Sequence, residues 1–141
     1  MRKIRIACSF LAAILTALTL VLVSASCGSG SSMSGSQLQS ITVNPPTADA
    51  QNYPDGEVPF EATGNYINPA HKVTPLSARW VACSQNAPTS DATVSDSGVA
   101  QCASGAEGTY QINAFVMTNC NLITACGGGC TVVGSAQLTC P

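Results

Sequence analysis

The chain has 141 residues, only 9% of them charged, and a formal net charge of −2 at pH 7. Three of its five basic residues, Arg2, Lys3 and Arg5, precede a long apolar run. The remainder has two cations, Lys72 and Arg79, against seven acidic residues, a net charge near −5. Two cations cannot neutralise a phosphate backbone, which excludes nucleic acid as a partner and, equally, attraction of basic residues to an anionic membrane surface.

The N-terminus is typical of a secretory signal. Its basic residues are followed by an apolar run from Ile6 to Val23 and by the small residues of 24–26. Residues 1–26 are therefore predicted to be a signal peptide, in which Cys8 is a small apolar residue. Residues 27–37, rich in Gly and Ser, have no pattern that could fold and are predicted to be a flexible tether.

Cys27 stands at the boundary between signal and tether. The segment Ser24-Ala25-Ser26-Cys27 resembles a bacterial lipobox, with Ser24 where that motif prefers Leu. In this interpretation Cys27 becomes the lipid-modified first residue. Its acyl chains, at about 0.8 kcal/mol per buried CH₂, anchor the protein in the bacterial cell envelope, at the outer membrane or cell surface.

Two alternatives remain open for this boundary. Cleavage after Ala25 would release a free secreted protein. The apolar run of about 18 residues is also close to the ~20 that span a bilayer, so it could persist as an uncleaved anchor.

The folded part is predicted to cover residues 38–141, a length that suits one domain. Thr, Ser, Ala, Val, Gly and Asn dominate it, which favours strands and turns. No stretch beyond residue 26 has a sustained helical period. The predicted fold class is all-β.

Seven short segments of alternating character indicate strands separated by turn signals. They cover residues 38–43, 58–64, 76–82, 93–95, 99–102, 108–117 and 131–140. Alternation in the third places Ala78, Trp80 and Ala82 on one face, so Trp80 is predicted to point into the core.

Several motifs occur in an order that carries a family resemblance: 41–45 (ITVNP), 60–66 (FEATGNY), 78–80 (ARW), 94–100 (VSDSGVA), 108–114 (GTYQINA) and 134–138 (GSAQL). Over residues 38–140 the series resembles bacterial immunoglobulin-like group 2 (BIG2) domains. The resemblance implies a seven-stranded immunoglobulin-like Greek-key sandwich, used in adhesins and as a spacer, with no catalytic residues. The chain departs from that family in its cysteines and in an insert between Thr118 and Cys130, before the last strand.

Six cysteines follow Cys27, and an even number in an exported domain indicates disulfides. They are Cys83, Cys102, Cys120, Cys126, Cys130 and Cys140. No metal site is predicted, because the cysteines between 120 and 140 lack the paired CxxC spacing of zinc sites and have no histidine nearby. A Cys83–Cys102 bridge would close the excursion of residues 86–98, and Cys140 is expected to pair within the 120–130 cluster.

No catalytic residue and no cofactor is predicted. His71 is the only histidine, expected on an exposed loop, and no G-x-S-x-G motif surrounds a serine. Asp55, Glu57 and Glu61 are interpreted as solvated residues, with calcium at Asp55 and Glu57 as the alternative. The three glycines 127–129 lack a following Lys-Ser/Thr and are expected to form a turn rather than a phosphate loop.

Binding would reside in exposed loops on a rigid sandwich. The insert Asn119–Gly129 is the first candidate and Tyr66–Lys72 the second, although both can also be plain insertions. The prediction is a non-catalytic cell-envelope lipoprotein, anchored in a membrane by a lipid on Cys27, whose single Ig-like domain has a structural role or binds a protein or glycan. A freely secreted adhesion or carbohydrate-binding module is the alternative, and a small secreted hydrolase is less favoured.

Overall fold

A computed structural model describes residues 35–118 and 120–141. The predicted signal peptide, the lipid attachment at Cys27 and all but the last residues of the predicted tether lie outside this described part. The first strand begins at Gln37, one residue before the predicted start of the domain.

The described residues form eleven strands and one short α-helix. The strands are β1 (Gln37–Asn44), β2 (Thr47–Asp49), β3 (Val58–Pro59), β4 (Glu61–Ile67), β5 (His71–Val73), β6 (Arg79–Ser84), β7 (Ala87–Pro88), β8 (Ala92–Val94), β9 (Val99–Cys102), β10 (Gly108–Phe115) and β11 (Val133–Cys140). The helix, α1, is Leu122–Gly127, and two 3₁₀ turns cover Ala50–Asn52 and Pro54–Gly56.

The strands pair into three sheets. The largest has the order β2-β11-β10-β6-β7, and the other two have the orders β1-β4-β5 and β3-β9-β8. Pairing is antiparallel throughout except between β2 and β11, which run parallel. Only Phe60 separates β3 from β4, and its N–H donates to the Gly98 carbonyl at 2.9 Å, which continues the pairing of β3 with β9.

One apolar core unites the three sheets. Strand alternation turns Trp80 and Ala82 of β6, and Tyr110 and Ile112 of β10, toward this core, where they meet Val58 of β3. Trp80 is therefore buried, as the alternation predicted. The core supplies the apolar burial that stabilises a β-rich domain of this size.

Gly134 marks the place where β1 comes closest to β11. A Cβ added at Gly134 would lie 2.6 Å from Ile41 Cγ2 and 2.8 Å from the Ile41 carbonyl oxygen. Such a Cβ cannot be accommodated without displacing backbone, so this close approach of the two strands requires glycine.

The all-β class is confirmed, with one helix that the sequence reading did not anticipate. The seven predicted segments all contain strands, and the second of them, residues 58–64, covers both β3 and the start of β4. Three further short strands, β2, β5 and β7, complete the sheets. His71 lies in the exposed strand β5 rather than in a loop, which corrects that expectation.

Candidate functional site

The described part of the insert, residues 120–129, contains α1. Asn121 precedes the helix, and its Oδ1 accepts a hydrogen bond from the Thr124 N–H at 3.0 Å. In return, Thr124 Oγ1 accepts from the Asn121 N–H at 2.9 Å, which completes a capping box. Gly128 ends the helix with φ 78°, a left-handed conformation that favours glycine. The glycine run is thus a helix terminator.

Because the helix has only 6 residues, its N-cap should contribute measurably to its stability. We expect Asn121→Ala to lower the free energy of unfolding by about 1 kcal/mol, the usual cost of losing an N-cap side chain. Amide hydrogen exchange should show faster exchange in α1 while β10 and β11 keep their protection. Unchanged exchange in α1 would contradict a structural role for the cap.

The helix packs on the outer face of the largest sheet. Ala125 and Cys126 are buried there against Val81, Cys83 and Phe115, in a second apolar cluster separate from the main core. The helix thus places the buried apolar residues of the insert on one side.

Three disulfides link the six cysteines: Cys83–Cys126, Cys102–Cys140 and Cys120–Cys130. The expected Cys83–Cys102 bridge is wrong, and so is the expected pairing of Cys140 within the 120–130 cluster. Alternation explains the difference: Cys83 lies on the outer face with Val81, whereas Cys102 and Cys140 contact the main core. The largest sheet therefore separates Cys83 on its outer face from Cys102, which lies on β9 of another sheet, and separates core-facing Cys140 from the 120–130 cluster.

The two candidate binding segments contribute to one groove at an end of the domain. This end groove, of about 520 Å³, is lined by Tyr66 from the second segment and by Thr118 and Cys120 at the start of the insert. Leu38 and Val132 form part of its apolar wall. The Tyr66 ring also stacks on His71, with the ring centroids 4.8 Å apart and an interplanar angle of 11°. The groove is thus an apolar and aromatic trough with hydroxyls beside it.

Exposed apolar side chains lie on the connection between β10 and β11. Met117, Leu122 and Ile123 are 62%, 46% and 72% exposed. Leu122 and Ile123 belong to the helix, which presents them to solvent while Ala125 and Cys126 pack inward. Exposed side chains of this kind are common at sites that bind partners, although single ones also occur on ordinary surfaces.

The titratable candidates are exposed, and none of them lines the end groove, although His71 stacks on Tyr66 beside it. His71 Nδ1 lies 2.9 Å from the Pro69 carbonyl oxygen. Asp55 occupies a 3₁₀ turn with φ 55°, and Glu57 Oε1 accepts from Gln101 Nε2 at 2.8 Å. Glu61 lies at the start of β4. Among residues 35–118 and 120–141, no group of three or more His, Cys, Asp or Glu side chains could hold a metal ion.

Sequence reasoning missed the outer-face polar residues of the largest sheet. Gln111, Asn113 and Ser135 alternate with core residues of β10 and β11, and α1 covers Asn113, whose side chain is 1% exposed. The alternation of side chains in β10 predicts that Asn113 faces away from the core. Its burial could not be predicted without knowing that a helix covers that face. Asn121 before an apolar pair and Gly128 after it are helix boundary signals that could have revealed that helix.

Within the described residues, every helix is too short or too polar to span a membrane. A scan against models of known protein families finds none that matches this chain, and a search of curated proteins finds no significant match.

Proposed function

We propose that this protein is a non-catalytic lipoprotein of a bacterial cell envelope, whose one immunoglobulin-like domain serves as a structural and binding module. The lipobox-like residues before Cys27 and the Gly/Ser tether after it support the anchor. The low charge and six paired cysteines suit an oxidising compartment outside the cytoplasm.

The immunoglobulin-like topology is part of the proposal. If β3 and β4 are treated as one strand interrupted at Phe60, the two smaller sheets join into one layer in which β1, β3/β4, β9 and β8 are neighbours. The larger sheet then forms the opposite layer, with β10 between β11 and β6. This arrangement is what a Greek-key sandwich of the BIG2 type would have, with β5 and α1 as additions.

The observation that carries the binding role is the convergence of both candidate segments on the end groove. Ser36 and Gln37, near the start of the described residues, line the same groove. Nine residues lead from Cys27 to Ser36, and at about 3.4 Å per residue they extend roughly 30 Å. A lipid on Cys27 would therefore keep the end groove within that distance of the membrane.

Intact-mass spectrometry of membrane and soluble fractions tests the anchor. We expect a diacyl or triacyl species that begins at Cys27 in the membrane fraction, and we expect Cys27→Ser to abolish this acylated species. Cys8→Ser is the matched control, because Cys8 lies within the predicted signal and its loss should change neither mass nor location. A soluble wild-type species that begins at Ser26 would refute the lipid anchor.

A further inference from the structure

Exposed apolar side chains are concentrated on the connection between β10 and β11. Among the described residues, four large apolar side chains are exposed, and Met117, Leu122 and Ile123 of this connection are three of them. We call these three residues the apolar tip. Thr118 and Cys120, which lie between them in the chain, line the end groove. The apolar tip therefore adjoins the end groove.

The sequence around the apolar tip carries no charge. From Gly108 to Pro141 the chain contains no Asp, Glu, Lys, Arg or His. Both flanking strands, the connection and α1 fall within this stretch. An apolar patch can leave water at low cost when no charged side chain has to be desolvated with it.

Acidic residues gather at the opposite end of β11. Five of them lie near Cys140 or its bridge partner Cys102, through strand pairing, hydrogen bonds or chain neighbours. These residues, the acidic end, are Asp49, Asp55, Glu57, Asp91 and Glu107. Because β11 runs from Val133 beside the connection to Cys140, it separates the two ends by roughly 25 Å at about 3.3 Å per residue. Neither remaining acid, Glu61 or Asp96, lines the end groove.

The chain enters the domain beside the apolar tip. Ser36 and Gln37 line the end groove, and the proposed lipid on Cys27 is nine residues before Ser36. Nine residues extend at most about 30 Å, so the groove end is the part of the domain that the anchor holds closest to the bilayer. The reverse orientation would bring the acidic end toward the bilayer, where anionic lipids repel carboxylates. Point of entry and charge distribution thus favour the same orientation.

We propose that the apolar tip docks on the lipid bilayer that holds Cys27, with Met117, Leu122 and Ile123 inserted at the boundary between headgroups and acyl chains. Apolar side chains at the start of a surface helix are buried at this depth in peripheral membrane proteins. The tether makes docking intramolecular, so three side chains suffice where they would not hold a free protein. The proposal rests on the proposed lipid anchor, and it fixes which end of the anchored domain faces the membrane.

The test uses the exported protein with its disulfides intact, labelled with nitrogen-15 and anchored in phosphatidylcholine nanodiscs. The nanodiscs contain a lipid that is spin-labelled near the top of its acyl chains. We expect the amide resonances of Met117, Leu122 and Ile123 to broaden, while those of Asp55 and Glu107 at the acidic end stay sharp. A protein that proves not to be acylated is coupled through its Cys27 thiol to a maleimide lipid, so the apolar tip is tested in either case.

Two variants separate insertion from mere nearness to the tether. Leu122→Asp and Ile123→Asp change exposed residues in the first turn of α1, where an acidic side chain is compatible with the helix. Each should lower the ratio of docked to undocked protein about tenfold, measured by the broadening at Met117, because a carboxylate resists transfer into the apolar boundary. Val73→Asp is the matched control, since Val73 is the fourth exposed apolar residue and lies on β5. It should dock like the wild type.

Three results would overturn the inference: the apolar tip does not broaden in the anchored wild type, its broadening persists in both Asp variants, or the broadening centres on the acidic end. Shifts of the apolar tip that grow with protein concentration in the absence of lipid would assign it to a second copy of this chain instead. An acylated protein whose apolar tip stays sharp rejects docking alone. A protein without acyl chains whose apolar tip broadens after coupling rejects the natural anchor alone.

Discussion

Removing the Cys83–Cys126 bridge should cost about 4 kcal/mol of unfolding free energy. The bridge closes 43 residues, and the chain-entropy model assigns a loop of that size about this value. It also pins α1 onto Val81 and Phe115, so the second apolar cluster should loosen when the bridge is lost. The double variant Cys83→Ala with Cys126→Ala avoids free thiols, and Trp80, the only tryptophan, reports unfolding by its fluorescence.

The matched control is the double variant Cys120→Ala with Cys130→Ala. That bridge spans 10 residues and should contribute about 2.7 kcal/mol, a smaller loss in the same model. Equal stability of the Cys83–Cys126 variant and the wild type would contradict a structural role for this bridge.

Peptide mapping without reductant checks the pairing itself. Cleavage at acidic and aromatic residues leaves Cys120, Cys126, Cys130 and Cys140 together in one peptide, residues 116–141. The Cys83 peptide and the Cys102 peptide should each be joined to that peptide and not to each other. A Cys83 peptide joined to Cys102 would contradict the structure.

The second large effect is expected at Gly98, in the turn between β8 and β9. Gly98 has φ 86°, and an added Cβ would overlap the Phe60 carbonyl oxygen and approach Trp80 Cζ2 to 3.0 Å. The overlap involves backbone, which cannot rotate away. Gly98→Ala should therefore lose about 3–4 kcal/mol, from the left-handed strain and the steric clash together.

Gly105→Ala separates the two causes. Gly105 has φ 76°, and an added Cβ there meets nothing within 4 Å, so only the backbone strain of about 1 kcal/mol remains. Urea unfolding followed by circular dichroism measures both variants without depending on Trp80. Similar losses for Gly98→Ala and Gly105→Ala would show that the contact with Phe60 is not tight.

The alternation of apolar and polar residues within single strands was the feature of the fold that could be predicted from the sequence. It placed Trp80 toward the core because side-chain direction in a strand follows local backbone geometry. Short edge strands such as β5 and β7 could not be predicted in this way, because two or three residues are too few to show an alternation of apolar and polar side chains. Their existence depends on a neighbouring strand that offers hydrogen bonds.

The candidate site could be predicted only in part from the sequence. Tyr66–Lys72 and Asn119–Gly129 were chosen separately, and their meeting at one groove depends on which loops the fold brings to the same end. The burial of Asn113 depends on still more distant information, because it is covered by α1, which the Cys83–Cys126 bridge joins to β6.

The order of the cysteines along the chain has a consequence for biogenesis. A chain that is exported from its N-terminus exposes Cys83 and Cys102 to oxidant first, yet their native partners are Cys126 and Cys140. The 23 residues between Cys102 and Cys126 take on the order of seconds to appear at typical synthesis rates. During that interval the one bridge these two thiols can form with each other is non-native. If the chain is exported as proposed, correct folding of this small domain therefore depends on oxidation slower than delivery, or on a thiol–disulfide isomerase that reopens the premature bridge.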